Sequence, residues 1–113
     1  MESELRRTLE TVGNNLKYAR LSEFGRDLAS RQRARKIREQ IVHEVGADNV
    51  RLTFDFSDVR TLSDSFSDEL FAVWVQMYGI EWFKKSVILT NLSLEMKQSI
   101  VSVIQNRLES KAT

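Results

Sequence analysis

The sequence predicts an α/β fold, a mostly parallel sheet whose strands are joined by crossover helices of about 14 residues. Three observations predict it. Val50, Leu52, Phe54 and Phe56 alternate with Arg51, Thr53 and Asp55, the period of two that places one row of side chains on each face of a strand. Before that strand, Ala34, Ile37, Ile41, Val42 and Val45 recur at helical spacing, and after it so do Phe66, Leu70, Phe71, Trp74, Met77 and Tyr78. Val87-Ile88-Leu89 then forms a short apolar run rich in β-branched residues, as a buried strand does.

The elements follow in chain order. Leu5, Leu9 and Val12 fall at helical offsets, so Glu2 to Val12 is expected to be a short helix ended by Gly13-Asn14-Asn15. Residues 1-15 would then be a helical extension on a domain spanning 16-110. Leu16 to Leu21 alternates weakly and is the candidate first strand; Ser22 to Ala29 is a connection with room for a short strand near Arg26 to Leu28. Ser30 is a suitable N-cap for the first long helix, and Gly46-Ala47-Asp48-Asn49 stops it. Where the central strand passes into the second helix, Ser63, Asp64 and Ser65 can accept the free N–H groups of its first turn. Ser65 with Asp68 approximates a capping box. Gly79 ends the second helix, Ile80 to Lys85 adds a turn carrying Trp82 and Phe83, and Ser93 caps a last helix with Leu94, Val101, Ile104 and Leu108 as its apolar stripe.

Composition narrows the function. The chain has 113 residues, 42% hydrophobic and 29% charged, the balance of a globular domain. It has no apolar run long enough to span a bilayer and no basic-then-apolar leader, which leads to a cytoplasmic expectation. The absence of cysteine excludes disulfides and thiolate chemistry, and a single His43 excludes a multi-histidine metal site. No serine or cysteine partner is evident for His43, and the four glycines stand apart rather than in a phosphate loop, so no enzyme and no cofactor are expected. Asp55, Asp64, Asp68 and Glu69 are oxygen donors of the kind hard cations take. Acids at the start of a helix are better explained by its dipole, and no metal is predicted.

The net charge of +1 conceals segregation. Arg26 to Arg38 holds six basic residues against Asp27, whereas Asp55 to Glu69 holds five acids against Arg60. Arg31, Arg35 and Arg38 line up on one helix face, where they can form a solvated stripe, bind an anion or nucleic acid, or meet the acidic turn of a second copy. The second helix is apolar on nearly every side, since only Ser67, Asp68, Glu69 and Gln76 are polar between Phe66 and Tyr78. Such a helix must be covered on nearly every side. Phe71, Trp74, Val75 and Tyr78 are therefore expected at a homodimer or partner interface, or else beneath Leu5, Leu9 and the Trp82-Phe83 turn of the same chain.

The order of these motifs resembles the STAS-like domain family, relatives of sulfate-transporter and anti-sigma-factor-antagonist domains. The resemblance is carried by Leu28-Ala29-Ser30-Arg31 with Ala34; by Phe54-Asp55-Phe56 with Val59 and Ser65-Phe66-Ser67-Asp68-Glu69-Leu70; and by Tyr78-Gly79-Ile80-Glu81-Trp82-Phe83-Lys84 before Val87-Ile88-Leu89-Thr90-Asn91. It implies a small α/β sandwich of bacterial or phage type used in regulation and protein contact, with a histidine-kinase-like ATPase as the partner. In the antagonists a serine at this turn is phosphorylated within a motif like Asp-Ser-Ser-Gly. Asp55, Val59, Asp64 and Ser65 occupy comparable places here, which makes Ser65 a possible phosphoacceptor. Bulky Phe66 stands where that motif has glycine, and Asp64, Asp68 and Glu69 oppose added negative charge. The expected contact site combines Asp64, Ser65, Asp68 and Glu69 for polar specificity with Phe66, Phe71 and Trp74 for apolar area.

Overall fold

The computed structural model describes residues 9–11, 16–45 and 51–112, with side chains over 18–41 and 51–109. Strand β1 (Leu9–Thr11) leads to β2 (Leu16–Arg20), a 3-10 turn (Leu21–Phe24) and β3 (Asp27–Leu28). Helix α1 (Arg31–Val45), β4 (Arg51–Asp55) and β5 (Thr61–Leu62) follow. Helix α2 has three parts, Asp64–Ser67, a wide π turn Asp68–Ala72 and Val73–Tyr78. After it come α3 (Ile80–Ser86), β6 (Val87–Thr90) and α4 (Leu94–Ala112).

The main sheet has the order β1-β2-β4-β6. β2, β4 and β6 are parallel, so α1 and α2 are the crossovers that the alternation of strand and helix predicts. Ala19, Phe54 and Leu89 stand in one row across the sheet, and their neighbours Tyr18, Thr53 and Ile88 stand in the next. The first row faces the helices: Ala19 and Phe54 are buried and Leu89 packs on the core. Ile88, in the second, is 45% exposed. One face of the sheet therefore carries the core. Phe54 meets Phe71 edge-on at 5.2 Å between ring centres, and Trp74 at 5.9 Å.

Ser30 caps α1 as its sequence position suggests, with its Oγ accepting from the Arg33 amide at 3.1 Å, and Ala34, Ile37 and Ile41 are buried. Ser93 caps α4 in the same way through the Met96 amide at 3.1 Å. Gly79 ends α2 with φ of +94°, a conformation that a side chain rarely adopts. His43 has its side chain, and Gly46 to Asn49 lie wholly, outside the described residues.

Four expectations need correction. Of the helix expected over Glu2 to Val12, residues 9–11 instead form an antiparallel edge strand on β2, Leu9 opposite Ala19, and the remainder lies outside the described residues. A short isolated helix is unfavourable, and the unpaired edge of β2 offers this segment backbone partners instead. In α2, Met77 is 53% exposed rather than part of the buried stripe. The π turn inserts about one extra residue, so the helix after it is rotated: Trp74 stays inward as expected, and Val75 joins it in place of Met77. In α4, Leu94 and Val101 are 70% and 46% exposed, and the buried stripe is Met96, Ile100, Val103 and Ile104. The stripe runs through Arg107, whose charge hid it from a search for apolar spacing.

The fourth correction concerns accessibility. Phe66 and Phe71 are fully buried, and Trp74 and Val75 nearly so, all within one chain. The sheet lies on one side of α2, α1 and α4 pack against its π turn, and Trp82 of α3 covers Trp74 at 6.1 Å and Tyr78 at 4.8 Å. Phe66, Phe71 and Trp74 are therefore buried away from the surface, and on α2 the Trp82 turn of the same chain supplies the cover, the second of the two alternatives. Among the described residues, no helix is long and apolar enough to cross a membrane.

Candidate functional site

The site is the passage from β4 into α2, and its geometry begins at Asp55, the last residue of β4. Its carboxylate is 4% exposed and accepts from the Tyr18 hydroxyl, from Asn91 Nδ2 at 2.9 Å, and from the Ser57 amide and hydroxyl at 2.9 and 2.7 Å. Burial alone would push its pKa up. The hydrogen bonds from Asn91, Tyr18 and Ser57 outweigh burial and hold the carboxyl well below the usual range. Asp55 is thus an ionised hub that ties the end of β4 to the middle of β2 and to the residue just after β6. Asn91 reaches it from a left-handed backbone conformation, φ +60°, just after β6.

From this hub the chain makes a tight turn. The Val59 amide donates to the Phe56 carbonyl at 3.0 Å, and Asp58 takes a positive φ of 66°, which short polar residues tolerate. Phe56 and Val59 are buried and anchor both ends. β5 then pairs with β3 in a two-residue parallel ladder. Asp27 strengthens that ladder: it accepts from Arg60 and, at 2.7 Å, from Thr61 Oγ1. The Arg60 guanidinium, with the Thr61 hydroxyl, lowers the Asp27 carboxyl to about 2.

Ser63 closes the passage. Its Oγ accepts from the Phe66 amide at 3.0 Å and donates to the Ala29 carbonyl at 2.9 Å, so one hydroxyl both caps α2 and fastens it to the start of α1. The capping role expected of Ser65 belongs to Ser63. Ser65 lies in the first turn of the helix and is exposed; its carbonyl accepts from the Asp68 amide, and its hydroxyl has no hydrogen-bond partner among the described residues. Beside it, Asp64 accepts from Ser99 Oγ of α4 at 2.5 Å.

The π turn then places Asp68 and Glu69 among four arginines. Glu69, 5% exposed, accepts from Arg38 at 2.7 Å, Arg31 at 3.1 Å and Arg35 at 3.4 Å, while its carbonyl accepts from Arg38 Nε at 2.8 Å. Asp68 accepts a two-pronged contact from Arg107 at 2.9 and 2.8 Å, and Arg31 at 2.8 Å. Burial raises the Glu69 pKa, but Arg38, Arg31 and Arg35 together lower it further; Arg107 chiefly lowers that of Asp68. The arginine stripe and the acidic turn, each read from sequence as open to a partner, thus meet within a single chain. Ser67 Oγ and Trp74 Nε1 are buried on the same helix without a hydrogen-bond partner.

The four acids considered as metal donors are brought to different partners. No three acidic or histidine side chains converge in a way that could hold a metal ion among the described residues. Of the sequence-selected site residues, Asp64 and Ser65 lie at the surface, Asp68 and Glu69 are held in ion pairs, and Phe66, Phe71 and Trp74 are core. Sequence reasoning missed Tyr18, Asn91, Asp27 and Arg107. Only Arg107 carried a usable signal, as a cation in phase with Met96, Ile100 and Val103.

Compared with known families, residues 33–97 match the model of the STAS-like domain of unknown function (DUF4325). No curated protein and no solved structure matches the chain.

Proposed function

Because the chain belongs to the family of STAS-like domains of unknown function, we propose that it is a non-enzymatic regulatory domain that docks on a protein partner through the exposed start of α2. The observation that carries this reading is Ser65. It is an exposed hydroxyl with no hydrogen-bond partner among the described residues, on a turn that is otherwise fixed by the Asp55 hub, the β3–β5 ladder and the Ser63 cap. A rigid backbone presenting an uncommitted polar group suits recognition, because little freedom is lost on binding. Asp64 and Ser65 form the polar centre of this surface, and Asp68 and Glu69 hold it in place from behind. The partner class implied by family resemblance is a histidine-kinase-like ATPase, with Ser65 as the possible phosphoacceptor.

Binding of an anion or nucleic acid by Arg31, Arg35 and Arg38 has less support, since all three guanidiniums already face Glu69 within 3.4 Å. The test is recovery of partners from native cell extract with and without nuclease, using wild type and Ser65→Glu. An acid in the first turn of a helix is favoured by the dipole, so this variant keeps the fold. A protein retained after nuclease treatment by wild type, and lost with Ser65→Glu, is the expected result. Recovery that depends on nucleic acid, or that ignores position 65, would overturn the reading.

A further inference from the structure

Away from the turn, α3, the end of β6 and α4 enclose an open groove of about 720 Å3. That volume lies within the range of small-molecule sites, roughly 300–1,000 Å3, which are mainly apolar with a few placed polar groups. Its walls fit the description. Leu89, Leu92, Val101 and Leu108 supply accessible apolar surface with Phe83 and Ile100 buried behind them, and among the described residues the charged ones lining it are Lys84 and Lys97. Neither lysine has an ion-pair partner among the described residues, whereas Arg31, Arg35, Arg38, Arg60 and Arg107 all do. Val101 is 46% exposed in a wall that continues into the core through Ile100. An apolar trough flanked by two cations without ion-pair partners, and with no carboxylate in its lining among the described residues, selects for an apolar body carrying a negative head. The α4 part of the lining extends from Lys97 to Leu108, three helical turns, or about 16 Å.

We infer that this groove binds a single-chain amphipathic carboxylate, an acyl anion of about a dozen carbons, with its chain on Leu92, Val101 and Leu108 and its carboxylate at Lys84 or Lys97. The inference goes beyond the docking surface and does not depend on it. An acidic amphipathic peptide is the competing occupant, but a volume on the scale of a small ligand and two isolated cations favour the smaller molecule.

The experiment is a titration of the 15N-labelled protein with dodecanoate, with dodecanol as a neutral probe, followed by amide chemical shifts. The variants are Lys84→Glu, Lys97→Glu and Val101→Asp, all at exposed side chains, and their unperturbed amide spectra confirm folding. Saturable shifts confined to residues 80–84, 89–92 and 97–108 are expected. Reversal of at least one of the two lysines should weaken binding about fivefold, the upper end for an exposed ion pair, and Val101→Asp should abolish it. Dodecanol should bind more weakly than dodecanoate. Ser65→Glu should leave the titration unchanged, which separates this result from the docking reading. The inference is overturned by an absence of saturable shifts, by shifts that map elsewhere, by equal binding of dodecanoate and dodecanol, or by a response only to an acidic amphipathic peptide.

Discussion

Replacing Glu69 with glutamine removes one charge from the centre of three arginines while keeping the side chain's size. The cost follows from how each arginine is placed. Arg38 has a side chain 11% exposed, so its charge loses its counterion in a place water hardly reaches. Removing one partner of such a pair costs about 3–5 kcal/mol. Two features lower this figure: the Glu69 carbonyl still accepts from Arg38 Nε at 2.8 Å, and the new amide oxygen can accept one further bond. Arg31 and Arg35, with side chains 44% and 54% exposed, are rehydrated and add little. The expected loss is about 2–4 kcal/mol, against a total of roughly 5–15 for a small domain. With a urea dependence of about 2 kcal/mol per M, the unfolding midpoint should fall by about 1–2 M. Fluorescence of Trp74 and Trp82, both packed in or on the core, reports it. Arg35→Ala, which removes the longest and most exposed contact, should shift the midpoint by less than about 0.3 M. A shift equally small for Glu69→Gln would refute the claim that this network fastens α1 to α2.

Ser63→Ala should cost about 1–2 kcal/mol by loss of a helix cap, and Ser65→Ala less than about 0.5, both read by urea unfolding; equal losses would contradict the assignment of the cap. Ser67→Ala should stabilise by about 1 kcal/mol in the same assay, because it deletes a buried hydroxyl that has no partner and improves helix propensity. The carboxylates predict a stability that depends on pH. Asp55, Asp68 and Glu69 are all held below their usual range in the folded protein, so the unfolded chain binds more protons in acid. Their contribution is complete above the unfolded values of about 4 and is lost as pH falls below them. Urea midpoints should be level from pH 6 to 8 and decline below about pH 5, less steeply in Glu69→Gln.

Much of the fold is legible in the residues because it rests on local periodicity. The alternation at Leu52 and Phe54, the α1 stripe of Ala34, Ile37 and Ile41, and the serine caps at 30 and 93 each appear at the expected place. What was illegible depends on contacts far apart in sequence or on departures from regular geometry. The π turn in α2 changes the helical phase, which no spacing rule anticipates, and so Met77 turns outward. Arg31, Arg35 and Arg38 were visible as a stripe, and Asp68 and Glu69 as an acidic turn. Their union required knowing that α1 and α2 cross on the same face of the sheet. The edge position of β1 was hidden because Leu5, Leu9 and Val12 fit a helix, while pairing with β2 decides the conformation of Leu9–Thr11. Ser63 and Ser65 were both visible at the turn, but only the geometry divides them into a cap and an exposed hydroxyl.

The central claim is that the start of α2 is the docking surface. A photoreactive phenylalanine analogue placed at position 65, and separately at exposed positions 51 and 109, tests it most directly in native extract. The account predicts a discrete protein cross-link from position 65 that is absent from both controls and survives nuclease treatment. Cross-links of equal yield from all three positions, or none from 65 when a control captures a partner, would contradict it.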